Sequence, residues 1–284
     1  MTARGNVAQG LSYGALGLPL AFVALPLYVV LPNHYASQFG VPLATLGALL
    51  LTTRLLDAFA DPWIGRLVDG WFAHSTRHVL VAAAIAAVLL ALGFQGLFFP
   101  PWRALGPLLA WCAALLGVTY LSFSVLSVLL QAWGARLGGD ERQRARIVSW
   151  REGLALLGVL VASVLPSTAG LAVTSAVFAV ALAGGIAALT IAPRPEQRGA
   201  GTLELSGPLR TPGFRRLLLI YLVNGVASAL PATLVLFFIR DLLQAQAYEP
   251  LFLASYFAAG ALSMPLWVRA VARWGLARCW LAGM

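Results

Sequence analysis

Asp57 and Asp61 lie four residues apart in LATLGALLLTTRLLDAFADPWIG, an apolar segment of membrane-spanning length, and Arg54 stands three residues ahead of them. At these spacings all three side chains leave a helix on roughly the same side. A carboxylate in hydrocarbon is costly, so ionisable residues in a spanning helix turn inward and mark an ion or substrate path. Two carboxylates on adjacent turns offer hard oxygen ligands for Na⁺. Alternatively, burial and like-charge proximity leave one of them protonated and able to carry H⁺. Arg54 would balance one negative charge while no ion is bound. The competing reading is a structural Arg54–Asp57 pair, with Asp61 capping a helix or loop. Pro62 follows directly and lacks an N–H for residue 58, so a kink beside the acids is expected.

Other polar groups gather near the same helices. Gly65, Asp69 and Gly70 lead into Arg77, and Asp69 with Arg77 is expected to form a charge clamp at the cytoplasmic mouth that holds one conformational state. Arg151 enters the fifth apolar run, where it either reaches an internal cavity or a charge on the second span, or snorkels to headgroups. The fourth run is rich in hydroxyls, and Tyr120 and Ser124 within it are candidates to line a cavity, as are Tyr28 and Asn224. Ser and Thr also serve as small helix-packing residues in membranes. His34, His74 and His78 fall in or beside loops. No HExxH or phosphate-loop pattern occurs and no intramembrane Ser has an evident His base, so neither an enzyme nor a cofactor is expected. Cys112 and Cys279 are isolated, without metal or disulfide spacing.

These groups need helices to hold them, and the composition supplies helices. The chain has 284 residues, 60% hydrophobic and 10% charged, with a net charge of +9. That balance excludes a disordered tail and a soluble domain. All the basic residues are Arg, in short connectors between apolar runs. They anchor to anionic headgroups and set topology, and they form no nucleic-acid face. A spanning helix needs about 20 mostly apolar residues. Runs of that kind fall near 11–31, 43–67, 78–99, 105–133, 149–166, 169–191, 214–239 and 250–268. The Arg-rich connectors alternate with Arg-poor ones, which puts the N-terminus in the cytoplasm. The stretch 193–213, punctuated by Pro and Gly, reads as a cytoplasmic linker between a six-helix bundle (1–192) and a partial second bundle (214–284). Beyond the eighth run a ninth helix starts and stops at Met284, so the chain reads as C-terminally truncated. A second polypeptide or an oligomer is expected to supply the missing helices.

Leu11-Ser12-Tyr13-Gly14 in the first run, Arg54-Leu55-Leu56-Asp57-Ala58-Phe59-Ala60-Asp61-Pro62 with Gly65 and Asp69 in the second, and Trp150-Arg151-Glu152 at the fifth form a pattern. It resembles the glycoside–pentoside–hexuronide:cation symporters, the melibiose-permease-like branch of the major facilitator superfamily. The resemblance implies an all-α membrane bundle with eight of twelve helices present, alternating access, and solute uptake driven by Na⁺ or H⁺ across a bacterial inner membrane. It implies cation-binding roles for Asp57 and Asp61 and charge-balancing roles for Arg54 and Arg151. The family's sugar-contacting acids fall at about Ala21 and Ser124, so sugar recognition through paired carboxylates is not expected here. A small organic solute such as a sugar or glycoside is the expected cargo, with a lysophospholipid or other amphiphile as the alternative of the same family. A third reading is a scaffold or half-carrier that transports nothing.

Overall fold

The structure is a computed structural model and describes residues 3–138, 140–195, 210–245 and 248–284. Most of the expected 193–213 linker lies outside these residues. The chain divides into two compact units, Met1–Ala200 and Gly201–Met284. Both are helical.

The first unit opens with α1 (Ala3–Gly14), α2 (Gly17–Leu25), a wide π-helical turn (Pro26–Val30) and α3 (Leu31–Phe39). From Val7 to Phe39 these act as one apolar stretch long enough to cross a membrane. Its interruptions follow from its prolines. Pro19 has no N–H for the Ala15 carbonyl, and the helix breaks just there. Pro26 begins the wide turn, in which the Leu31 N–H reaches back to the Pro26 carbonyl. Gly40, at φ 66°, ends α3 in the left-handed region that glycine tolerates.

The next helices are α4 (Leu43–His74), α5 (Thr76–Phe98), α6 (Leu105–Ala135) and α7 (Glu141–Ile191). α4 runs through Pro62 as one continuous helix. Along α7, Gly170 takes φ 81° and ψ 170°, which breaks the helical path. Unbroken, 51 residues would extend about 75 Å, more than twice the roughly 30 Å hydrocarbon thickness. The break leaves two pieces, 141–169 and 171–191, over the fifth and sixth apolar runs. Among the described residues five helical stretches are long and apolar enough to span a membrane, this broken one counting once.

Two groups of helices make up the unit. α1 and α2 pack on α7, and α4 and α5 pack on α6, with α5 also touching α7. Glycine brings the first group close. A Cβ on Gly158 of α7 would stand 2.1 Å from the Leu18 carbonyl oxygen, and one on Gly14 would stand 2.9 Å from that of Trp150. The Ser12-Tyr13-Gly14 and Trp150-Arg151-Glu152 segments therefore meet at this seam. Buried polar side chains fasten the helices through backbone carbonyls. The Tyr13 hydroxyl donates to Leu130 at 3.0 Å, the Tyr35 hydroxyl to Leu97 at 2.9 Å, and the Trp133 indole N–H to Pro193 at 3.0 Å. In a low-dielectric interior such bonds satisfy groups that would otherwise be costly to bury.

The second unit contains α8 (Pro212–Phe237), a second π-helical turn (Phe238–Leu242), α9 (Glu249–Trp274) and α10 (Leu276–Gly283). α8 and α9 carry the seventh and eighth apolar runs. The rings of Tyr221 and Trp280 stack with centroids 5.6 Å apart.

Candidate functional site

The narrow buried stripe of α4 is Leu46, Asp57, Ile64, Val68 and Phe72. Asp57 occupies a position in it that an aliphatic residue would ordinarily fill. Its side chain is 4% exposed, so both carboxylate oxygens need partners. The Ser124 hydroxyl of α6 donates to Oδ1 at 2.7 Å, and Arg54 Nη1 donates to Oδ2 at 3.1 Å. Ser124 can do this because α6 packs along α4 and presents Tyr120 and Ser124, four residues apart, on one face.

Arg54 is held from two sides. Its guanidinium carbon lies 5.8 Å from the Tyr28 ring centroid and 5.7 Å from that of Tyr120, both in cation–π range. The two rings are stacked on each other at 6.3 Å. Tyr28 projects from the π-helical turn, an element that recurs at functional sites. The Tyr120 hydroxyl is buried and has no hydrogen-bond partner among the described residues. Five of the residues singled out from the sequence (Tyr28, Arg54, Asp57, Tyr120 and Ser124) thus form one cluster from the first, second and fourth runs.

The remaining candidates lie apart from it. Asp61, one turn on from Asp57, is exposed and makes no hydrogen bond or ion pair among the described residues. The two carboxylates therefore do not share one enclosed seat. Among the described residues no group of three or more His, Cys, Asp or Glu is arranged to hold a metal. The expected Asp69–Arg77 clamp is corrected by the structure. Asp69 pairs with Arg136 at the end of α6, at 2.5 Å, while Arg77 is exposed. The reason is local. The Arg136 guanidinium lies over Phe72 at 4.4 Å, and Phe72 stands edge-on to Trp133, so α4 and α6 close around this pair. Sequence reasoning gave Arg136 only a topological role; its place at the end of the hydroxyl-rich run was the available signal. Among the described residues Arg151 is joined to the second run by no hydrogen bond or ion pair. It bonds its neighbour Glu152 through Nε at 3.0 Å and Nη2 at 2.6 Å. Asn224 lies half-buried on α8, in the second unit.

Removing the Ser124 hydroxyl tests how the buried carboxylate is held. A hydrogen bond to a charged group contributes about 1.5–3 kcal/mol. For a domain of 150–250 residues that is a drop in Tm of roughly 3–12 °C. Ser124→Ala should show such a drop in detergent-solubilised protein, and Ser124→Thr should not. In the double variant with Asp57→Asn the loss should shrink, because no buried charge then needs the hydroxyl. Thermal unfolding of the parent, Ser124→Ala, Ser124→Thr, Asp57→Asn and the double variant reads this directly.

Residues 11–284 match the profile of the family described as MFS/sugar transport protein. A putative glycoside/cation symporter of Escherichia coli (strain K12), YagG, is 29% identical over 169 residues, which are 57% of this chain and 34% of that relative. The inner membrane symporter YicJ of the same organism is 26% identical over 159 residues, 55% of this chain and 33% of its own length. A putative sulfoquinovose importer, also from Escherichia coli (strain K12), is 25% identical over 171 residues, 58% of this chain and 35% of the relative. The alignments thus span about a third of the length of these curated relatives.

Proposed function

Because this chain belongs to the MFS/sugar transport protein family, we propose that it forms the first part of a cation-coupled symporter. It is an integral membrane protein of a non-catalytic transport family. The cargo is a small organic solute, a sugar or glycoside being the first choice, moved across a bacterial inner membrane by alternating access. The N-terminus lies in the cytoplasm. The Arg54–Asp57–Asp61-Pro62 pattern supports placing the chain in the melibiose-permease-like branch.

One observation carries this reading. A carboxylate is buried in an apolar bundle, bonded by a hydroxyl from another helix and balanced by an arginine that itself rests on two aromatic rings. Asp57 binds the coupling ion, Na⁺ or H⁺, and Arg54 holds its place when the ion is absent. Ion binding would release the guanidinium from Asp57 and alter its contact with Tyr28 and Tyr120, the rings against which a solute can stack. That exchange makes ion and solute affinities depend on each other, and linkage makes the dependence reciprocal. Asp61, exposed one turn away, serves as the second acid of the ion path. Asp69 with Arg136, together with Arg77 and Arg151, sets the conformational balance. The full transport cycle requires a second helical bundle, supplied in the same assembly.

Reconstitution tests it. A tenfold inward ion gradient stores about 1.4 kcal/mol and at one ion per solute supports roughly tenfold accumulation. Proteoliposomes given a glycoside panel under separate Na⁺ and H⁺ gradients should approach that ratio for one ion and lose it with the matching ionophore. Uptake indifferent to both gradients would refute ion coupling.

A further inference from the structure

The hairpin that joins α4 to α5 carries two of the chain's three histidines. His74 is the last residue of α4. Ser75, in extended backbone, breaks the helix, and His78 falls in the first turn of α5. Both imidazoles are exposed. Their ring centroids are 5.8 Å apart and their planes are inclined at 57°.

Each ring is pinned through the same nitrogen. His74 Nδ1 lies 2.8 Å from the Gly70 carbonyl oxygen. A carbonyl only accepts, so Nδ1 carries the proton and Nε2 keeps an open lone pair. His78 Nδ1 lies 2.7 Å from Ser75 Oγ, and the same oxygen accepts from the His78 backbone N–H. That oxygen has a second lone pair for an Nδ1 proton, which leaves Nε2 of this ring open too. A ring proton held by an oxygen, with the other nitrogen open, is the arrangement that orients metal-bound histidines. Metal–nitrogen bonds of about 2.0–2.1 Å place two ring centres roughly 5–6.5 Å apart when the rings share one ion. The observed spacing falls inside that range.

The surrounding charges set the class of ion. Asp69, the nearest carboxylate in the sequence, is engaged by Arg136. Arg77 is exposed beside His78 and opposes an incoming cation. Two neutral nitrogens without a carboxylate suit Cu²⁺, Ni²⁺ or Zn²⁺, and give Mg²⁺ or Ca²⁺ nothing to replace their oxygen shells. We propose that His74 and His78 form a two-imidazole site for a divalent transition metal, with water completing the shell of the ion. The ion ties the end of α4 to the start of α5 across the Ser75 break. Because α4 also carries Arg54, Asp57 and Asp69, a bound metal restrains the helix that holds the candidate site. The metal site stands or falls separately from the transport reading.

The test uses Zn²⁺ calorimetry and Cu²⁺ electron paramagnetic resonance on the untagged chain in neutral detergent. Cys112 and Cys279 are buried and do not compete for the ion. One ion per chain should bind at micromolar concentration, with two nitrogens coupled in the Cu²⁺ spectrum, and an excess of Mg²⁺ or Ca²⁺ should not displace it. His74→Gln and His78→Gln should each weaken Zn²⁺ at least tenfold and remove one nitrogen coupling. Their size-exclusion profiles should match the parent, since both rings are exposed. Arg77→Gln should tighten binding, and His34→Gln, at the third histidine, should leave it unchanged. Absence of binding in the parent, or binding that survives replacement of both residues, would overturn the proposal. Loss in only one of the two variants would overturn it as well, because a single ring would then act alone.

Discussion

Asp57→Asn is expected to bring ion-driven accumulation down to an inside-to-outside ratio of about one, while downhill exchange of solute persists. The substitution keeps size and shape. An amide oxygen still accepts from the Ser124 hydroxyl, so the α4–α6 contact survives. What disappears is the charge that, in the proposed mechanism, would exchange Arg54 for the coupling ion. Coupling between two ligands typically amounts to about 1–3 kcal/mol, or about 5–150-fold in affinity. All of it should vanish when one ligand loses its charged partner. Arg54 tolerates the loss because its side chain is 48% exposed and stays over the tyrosine rings. Asp61→Asn is the internal comparison. That carboxylate is exposed and unbonded, so its removal should weaken accumulation less. Gradient-driven uptake and solute counterflow, measured on both variants, separate the two effects. Undiminished accumulation in the Asp57 variant would show that the coupling ion binds elsewhere.

Gly158→Leu is expected to be the most damaging substitution for the fold. Even a Cβ at that position would lie 2.1 Å from the Leu18 carbonyl oxygen, and the obstacle is backbone, which cannot rotate away. Ordinary overpacking costs about 1–3 kcal/mol, and separating two helices should reach the upper end or beyond. For a domain of 150–250 residues, about 3 kcal/mol is a fall in Tm of roughly 6–12 °C. A Cβ on Gly153, on the same helix, would meet nothing within 4 Å, and Gly153→Leu should stay within about 2 °C of the parent. Size-exclusion profiles and thermal unfolding in detergent would show the contrast. Equal behaviour of the two variants would mean that α2 and α7 are not in contact at Leu18.

The helices were legible in the sequence because apolar runs of spanning length leave little choice in a bilayer. The cluster was partly legible. Arg54 and Asp57 stand three residues apart on one helix, and their pairing follows from helical geometry. Ser124 and Tyr120 were nominated for their polarity alone, and only the packing of α6 on α4 shows that they meet Asp57. Periodicity also misled. Asp61 shares the face of Asp57, yet only Asp57 is covered, since burial depends on where a neighbouring helix passes. Asp69 was matched with Arg77 because the two are close in the chain. Its partner, Arg136, is 67 residues away, a distance over which a single sequence gives no register. Arg151 was left open between a cavity, a charge on the second run and the headgroups, and the ion pair it makes is with Glu152 next door.

The wide turn at Pro26–Val30 has an effect on everything after it. Its hydrogen bond closes one residue later than in an α-helix, so an extra residue is inserted into the winding. Side chains beyond Val30 are therefore displaced by about 100° around the axis from where an unbroken count would put them. Tyr35 meets the Leu97 carbonyl only in this shifted phase. Excising one residue from the turn would rewind the C-terminal end of the first span and swing that phenol away from its acceptor, even though no residue touching it had changed.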